Sequence, residues 1–289
     1  MCVSDFVKRM ESRHFVRCVF SLRFRIKIMA SFGLSIMLHI FVLAIVIDGD
    51  TFYLRLPKMP EIGDFILTGE GTQGTVFEAY WEQGRGKVAI KVERQKFNFE
   101  NEEKIYNYSH LNYEYWILRK FANTPGFPQV YTAVLDGEYQ YMVMQNVGRS
   151  FTDILFRDNP RLEVVMNYAL QILDRLEAVH KKGYLFPDLH EGNMCVDETG
   201  TLYLIDFAHA TPFKVRGEHI KQMKAFGKKI PSSRRDDLKM FLKLLVQTLD
   251  VTGNSRYIYK LEPACDFVIR MDFETRPDYE NLRRLLNFR

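Results

Sequence analysis

The sequence predicts an α+β fold of two lobes, an antiparallel-sheet lobe followed by a mainly helical one. A transmembrane helix is expected ahead of both. Three observations carry this. Strand-like runs with glycine turns fill residues 58–145, and helical periodicity dominates from residue 151. Strands first and helices later point to two lobes joined by a hinge near residues 145–148. An uncharged apolar run covers residues 28–47.

The expected organisation is a basic segment over 1–27, a membrane helix over 28–47, and a main domain over 58–289. That domain divides into an N-lobe of about 58–145 and a C-lobe of about 149–289. IMASFGLSIMLHIFVLAIVI, residues 28–47, is interrupted only by Ser31, Ser35 and His39. Arg17, Arg23, Arg25 and Lys27 precede it, and Asp48 and Asp50 follow. Length and flanks predict a signal anchor and a membrane location, with a buried helix or an appended segment without a membrane role, in a cytoplasmic protein, as the alternative.

Along the domain, FILTGEG, TVFEAYW and KVAIKVER read as strands, with GRGK at 84–87 as a turn. A helix is expected around LNYEYWILRKF, then strands YTAVLD and YQYMVMQ. EVVMNYALQILDRLEAVHKKG places Val165, Ala169, Ile172, Leu173, Leu176 and Val179 on one helical face and ends on a Lys-Lys-Gly stop. His180, Phe151, Phe156 and the Tyr-rich stretch 106–115 are expected to pack. Cys195 is expected as a small core residue on a strand.

Composition limits the partners. A net charge of +4 on 289 residues is too weak to predict nucleic acid. The four cysteines lie far apart, without zinc spacing, which favours a reducing compartment for the main domain. Oligomeric state leaves no signal in the sequence.

The chemistry resides in three stretches. GEGTQGTV, residues 69–76, fits G-x-G-x-x-G-x-V between two strands. Gly69, Gly71 and Gly74 let backbone approach phosphate oxygens without a Cβ clash. VAIK then places Lys91 on the next strand, to contact the α- and β-phosphates, with Glu114 on the following helix as its acidic partner. The second stretch, Asp188-Leu189-x-x-x-Asn193, spaces a catalytic acid from an amide. The third, LYLIDFA, ends an apolar strand on Asp206, thirteen residues after Asn193. Asn193 and Asp206 offer hard oxygens for Mg²⁺, and Asp188 would orient an acceptor hydroxyl and take its proton. Together they predict ATP and Mg²⁺ as cofactors.

These motifs, with GFPQV, YMVMQNVGRSFTDIL, SRRDDL and RPDYENLRRLL in order, resemble the casein kinase 1 group of serine/threonine protein kinases. The resemblance covers about residue 60 to the C-terminus. It implies the two-lobed protein-kinase fold and phosphoryl transfer to protein substrates. It also makes Met144 a gatekeeper and Gln145 to Val147 an adenine hinge. Val76 and Ala89 join the nucleotide set, and Asp237 becomes a buried brace for the catalytic loop. Four departures stand out. Phe186 and Pro187 replace His and Arg. His190 replaces a lysine that neutralises the phosphoryl group, and neutral imidazole gives less help than an ammonium at pH 7. Ala208 replaces a glycine. The segment 209–232 is short and lacks a counterpart of the group's peptide platform. The basic residues from Lys214 to Arg235, among them Arg234 and Arg235, predict acidic or already phosphorylated substrates. DLHEGN with LIDFA also resembles aminoglycoside and choline phosphotransferases, which makes small-molecule phosphorylation the rival. A pseudokinase scaffold is the third reading.

Overall fold

A computed structural model of the chain describes residues 40–47, 50–57, 62–71, 74–81, 86–94, 97–100, 103–106, 110–136, 139–215, 217–220, 222–225, 228–231 and 233–287. The chain divides into two compact units. One comprises Met1–Asn112 with Val130–Asn146, and the other Tyr113–Gln129 with Val147–Arg289.

The first unit is built on a five-stranded antiparallel sheet. Strands β1 (Ile40–Ile47) and β2 (Asp50–Pro57) precede it. Its members are β3 (Ile62–Gly71), β4 (Gly74–Trp81), β5 (Gly86–Arg94), β8 (Val130–Asp136) and β9 (Tyr139–Gln145), in the order β3-β4-β5-β9-β8. A small hairpin, β6 (Phe97–Glu100) with β7 (Glu103–Tyr106), lies between β5 and the first helix in sequence. β9 is an interior strand covered on both faces, so residues 139–144 are all buried and the apolar alternation is lost. Val88, Ile90, Met142 and Val143 form the centre of its core.

The expected transmembrane helix is overturned here. Ile40–Ile47, the last part of the 28–47 run, is a strand paired with Asp50–Pro57, from Ile40↔Pro57 to Ile47↔Asp50. Among the described residues no helix is long and apolar enough to cross a membrane. The reason lies in the composition of the run. Five of the eight residues in IFVLAIVI are Ile or Val, whose branched Cβ favours extended backbone. Asp48-Gly49 follows, a dipeptide suited to a two-residue hairpin connection. Residues 28–39 and the basic segment 1–27 lie outside the described residues.

The second unit is mainly helical. Helix α1 (His110–Lys120) begins in the first unit, where the Leu111 amide donates to Glu93 Oε2 at 2.9 Å, and enters the second at Tyr113. The principal helices are α2 (Leu162–Lys181), α3 (Arg234–Val251), α4 (Glu262–Ile269) and α5 (Tyr279–Leu286). α2 buries the expected face and adds Met166 and His180 to it. It stops at Lys182, and Gly183 follows at φ +86°, a conformation that favours glycine. α3 starts at Ser233, whose Oγ accepts from the Asp236 amide at 3.3 Å and donates to its Oδ2 at 2.7 Å.

Short strands position the loops between these helices. β10 (Arg149–Ser150), β12 (Met194–Val196) and β13 (Leu202–Leu204) form one sheet. β11 (Tyr184–Leu185) pairs with β14 (Thr211–Pro212). Cys195 is half-buried on β12. Phe151 packs as expected, but Phe156 does not, with 62% of its surface exposed. Phe156 sits on a π-helical turn, Ile154–Asp158, that buries Ile154 and Leu155 instead.

Candidate active site

In the first unit, the β3–β4 register places Gly69 opposite Val76 and Gly71 opposite Gly74. Thr72 and Gln73, at the tip of the glycine loop, lie outside the described residues. Directly opposed residues on antiparallel strands share a face, as do residues two apart. Val76 faces Lys91, Lys91 faces Met142, and Ala89 faces Met144, so these side chains line one face. Gln145 opposes Val88 and belongs to the other face. Lys91 is buried, a setting lysine tolerates only when held by partners. Asn146 Nδ2 donates to Glu78 Oε2 at 2.9 Å, and Lys87 Nζ meets Glu78 Oε1 at 2.8 Å, which ties the end of β9 back to β4.

In the second unit, Asp188, Asn193 and Asp206 come together through the backbone that carries them. Asn193 Nδ2 donates to the Asp188 carbonyl at 2.9 Å and to its Oδ2 at 3.1 Å. The Asn193 carbonyl accepts from the Ile205 amide at 3.0 Å, next to Asp206. Asp206 adopts φ +62°, the left-handed region that non-glycine residues rarely enter. His190 Nε2 stands 3.7 Å from Asp188 Oδ1. Glu114 is buried on α1 and its Oε1 accepts from the Phe207 amide at 3.2 Å. Val147, at the start of this unit, is buried.

The family model described as protein kinase domain matches residues 65–227, more than half the chain. The chain belongs to the protein kinase family. Casein kinase I homolog 3 of Schizosaccharomyces pombe is 22% identical over 270 residues, covering 76% of this chain and 60% of that protein. Serine/threonine-protein kinase OXI1 of Arabidopsis thaliana is 26% identical over 178 residues, 57% of this chain and 41% of that protein. B1 kinase of Vaccinia virus is 29% identical over 87 residues, 29% of each chain. The kinase chain thus spans about 60% of the length of the casein kinase I homolog.

The fit of a metal to this kinase follows from its donors. Among the described residues no group of three or more His, Cys, Asp or Glu side chains could cage an ion. An amide oxygen and one carboxylate suit a hard cation that brings phosphate and water as its remaining ligands, as Mg²⁺ does.

Phe186, standing where kinases usually have His, acts by packing. Its ring lies 4.9 Å from that of Phe207, which Phe121 and Phe127 flank at 5.5 and 5.8 Å. The Phe186 amide donates to Asp237 Oδ2 at 2.7 Å, so Asp237 does brace the catalytic loop from α3. His180 Nε2 also meets Asp237 Oδ2, at 2.8 Å, and its Nδ1 bonds the Tyr279 hydroxyl. Burial holds the Tyr279 hydroxyl far above the usual tyrosine range, so it stays a neutral donor. His180 packs as expected, whereas Tyr279 carries no local signal in the sequence. Tyr113, in the stretch expected to pack, has a polar role besides. Its hydroxyl donates to the Ala210 carbonyl at 2.6 Å, and burial pushes its pKa up to about 12, with Tyr184 adding to the shift. Ala208 is buried, its amide 3.4 Å from Asp206 Oδ1.

Proposed function

We propose that this kinase domain transfers the γ-phosphoryl group of ATP to serine or threonine hydroxyls of protein substrates, as a divergent member of the casein kinase 1 group. The observation that carries the proposal is the Asp188 carboxylate, bonded on Oδ2 by Asn193 and linked through the Asn193 carbonyl to the Asp206 segment. The acceptor oxygen forms a bond to the γ-phosphorus while the bond to the bridging oxygen breaks. ADP leaves, and the hydroxyl proton passes to Asp188. Lys91, with Glu114 as its acidic partner, holds the α- and β-phosphates. Gly69, Gly71 and Gly74 cover them. Val76, Ala89 and Met144 border the adenine, with Gln145 to Val147 as its hinge. Asn193 and Asp206 would hold Mg²⁺, which would supply charge neutralisation at the phosphates. The basic residues between Lys214 and Arg235 support a preference for acidic or phosphorylated acceptors.

SRRDDL, RPDY and the complete glycine loop favour protein acceptors over small molecules. A parallel assay with casein, an aminoglycoside and choline tests this, with Asp206→Ala as control. Transfer to casein alone, lost in Asp206→Ala, is expected. Transfer to a small molecule instead would replace the proposal. The absence of both transfer and Mg-ATP stabilisation in a thermal shift would leave the scaffold reading.

A further inference from the structure

A lysine at position 190 would bring a point charge, whereas a histidine brings a directional N–H. Which ring nitrogen carries the proton decides what the side chain can offer. The Gly192 amide lies 3.1 Å from His190 Nδ1. A backbone amide only donates, so Nδ1 accepts, and the singly protonated ring carries its proton on Nε2. Nε2 is the nitrogen turned to Asp188, 3.7 Å from Oδ1 and just beyond hydrogen-bond range. Asn193 Nδ2 bonds the other carboxylate oxygen at 3.1 Å. Asp188 therefore stands between two N–H groups, one bonded and one poised.

Glycine at 192 is what allows the ring to lie there. A Cβ at this position would sit 2.9 Å from His190 Cε1 and 3.0 Å from Nδ1, closer than a side chain tolerates. Gly192 is not among the residues with positive φ, so its backbone accepts alanine. The atoms met belong to an exposed, rotatable imidazole, so alanine displaces the ring and spares the loop.

We propose that Gly192 is a positioning residue of the catalytic loop. It fixes His190 in the Nε2–H tautomer, ring against the loop amide, with that N–H directed to the Asp188 carboxylate and the phosphoryl group delivered beside it. The second half rests on the phosphoryl-transfer function proposed above. It gives the domain a directional hydrogen-bond donor where a lysine would bring a point charge, coupled through one ring to a glycine two residues on.

The test uses the full-length chain in two arms. Long-range ¹H–¹⁵N spectra of the histidines, with His190 assigned by its loss in His190→Ala, report the tautomer directly. A protonated Nε2 and an unprotonated Nδ1 in wild type are expected, with that preference lost in Gly192→Ala. A protonated Nδ1 in wild type overturns the inference, whatever the variants do. In the second arm, Gly192→Ala lowers kcat roughly tenfold or more while KM for ATP holds, the scale of a misplaced catalytic group. In a His190→Ala background the same substitution changes nothing further. Independent losses that multiply in the double variant would show that Gly192 does not act through His190, and would sink the proposal. If wild type phosphorylates no acceptor, the proposed function fails on its own, and the spectra still decide the tautomer.

Discussion

Replacing Asp237 by alanine removes one oxygen that serves two donors in a region closed to water. Asp237 is 2% exposed, and its Oδ2 accepts from the Phe186 amide at 2.7 Å and faces His180 Nε2 at 2.8 Å. Alanine supplies neither bond and admits no solvent in their place. An abandoned buried donor costs about 1–3 kcal/mol, so two of them lead to a loss of about 3–5 kcal/mol, the scale seen when one partner of a buried polar pair is removed. In a domain of this size each kcal/mol shifts the midpoint by about 2–4 °C, so melting should fall by roughly 10 °C. Asp237→Asn keeps an oxygen at the same place and should lose less than half of that. Asp266→Ala breaks an exposed pair with Arg270 at 3.2 Å and serves as the control, with a change within about 0.5 kcal/mol. Urea and thermal unfolding of the purified variants, followed by circular dichroism, give the values. If Asp237→Ala melts within about 2 °C of wild type, the argument from abandoned donors is wrong.

Three further outcomes follow from the geometry. Burial pushes the Cys195 thiol up to about 11 from an ordinary 9.0, which cuts its thiolate fraction near neutral pH roughly a hundredfold. Alkylation in the native state should be slow and should accelerate with rising pH or on unfolding, as mass spectrometry would record. Gly126 has φ +81°, and a Cβ there would collide with the Arg175 guanidinium, which donates from Nε to the Leu202 carbonyl at 3.2 Å. Gly126→Ala should therefore destabilise by about 2–3 kcal/mol in a urea titration, from backbone strain plus a displaced donor. Ser233→Ala removes the cap of α3 and should cost about 0.5–2 kcal/mol, while Ser233→Asp should recover most of it in the same titration.

Much of the fold was legible because local chemistry and tertiary structure agreed. YQYMVMQ forms β9 with the expected bounds, and the glycine-punctuated runs give β4 and β5 to within one residue. The apolar face of α2 appears where its period placed it. Hydropathy failed at Ile40–Ile47, since an apolar run has the same mean hydropathy in a helix or a strand. Its Ile and Val content and the Asp-Gly that follows were the better guide. Phe156 failed for the converse reason, because an apolar side chain can remain on the surface. In the site, the spacing of Asp188 and Asn193 brings them into a hydrogen bond. The partners of His180 were not legible. Asp237 and Tyr279 lie 57 and 99 residues away along the chain, and only the packing of α2, α3 and α5 assembles them. The His190–Gly192 contact spans two residues, and the glycine beside a bulky ring was its one available clue.

Tyr113 and Glu114 are neighbours on α1, and each reaches the same stretch of backbone. Glu114 takes the Phe207 amide, and Tyr113 gives its hydroxyl to the Ala210 carbonyl. The Phe207 ring between them is wedged against Phe121, which follows the same helix, and Phe127. The acid proposed to hold Lys91 and the aspartate proposed at the metal therefore belong to segments joined by hydrogen bonds through one short stretch of backbone. A change at Tyr113 or Glu114 is therefore a change to the backbone just after Asp206.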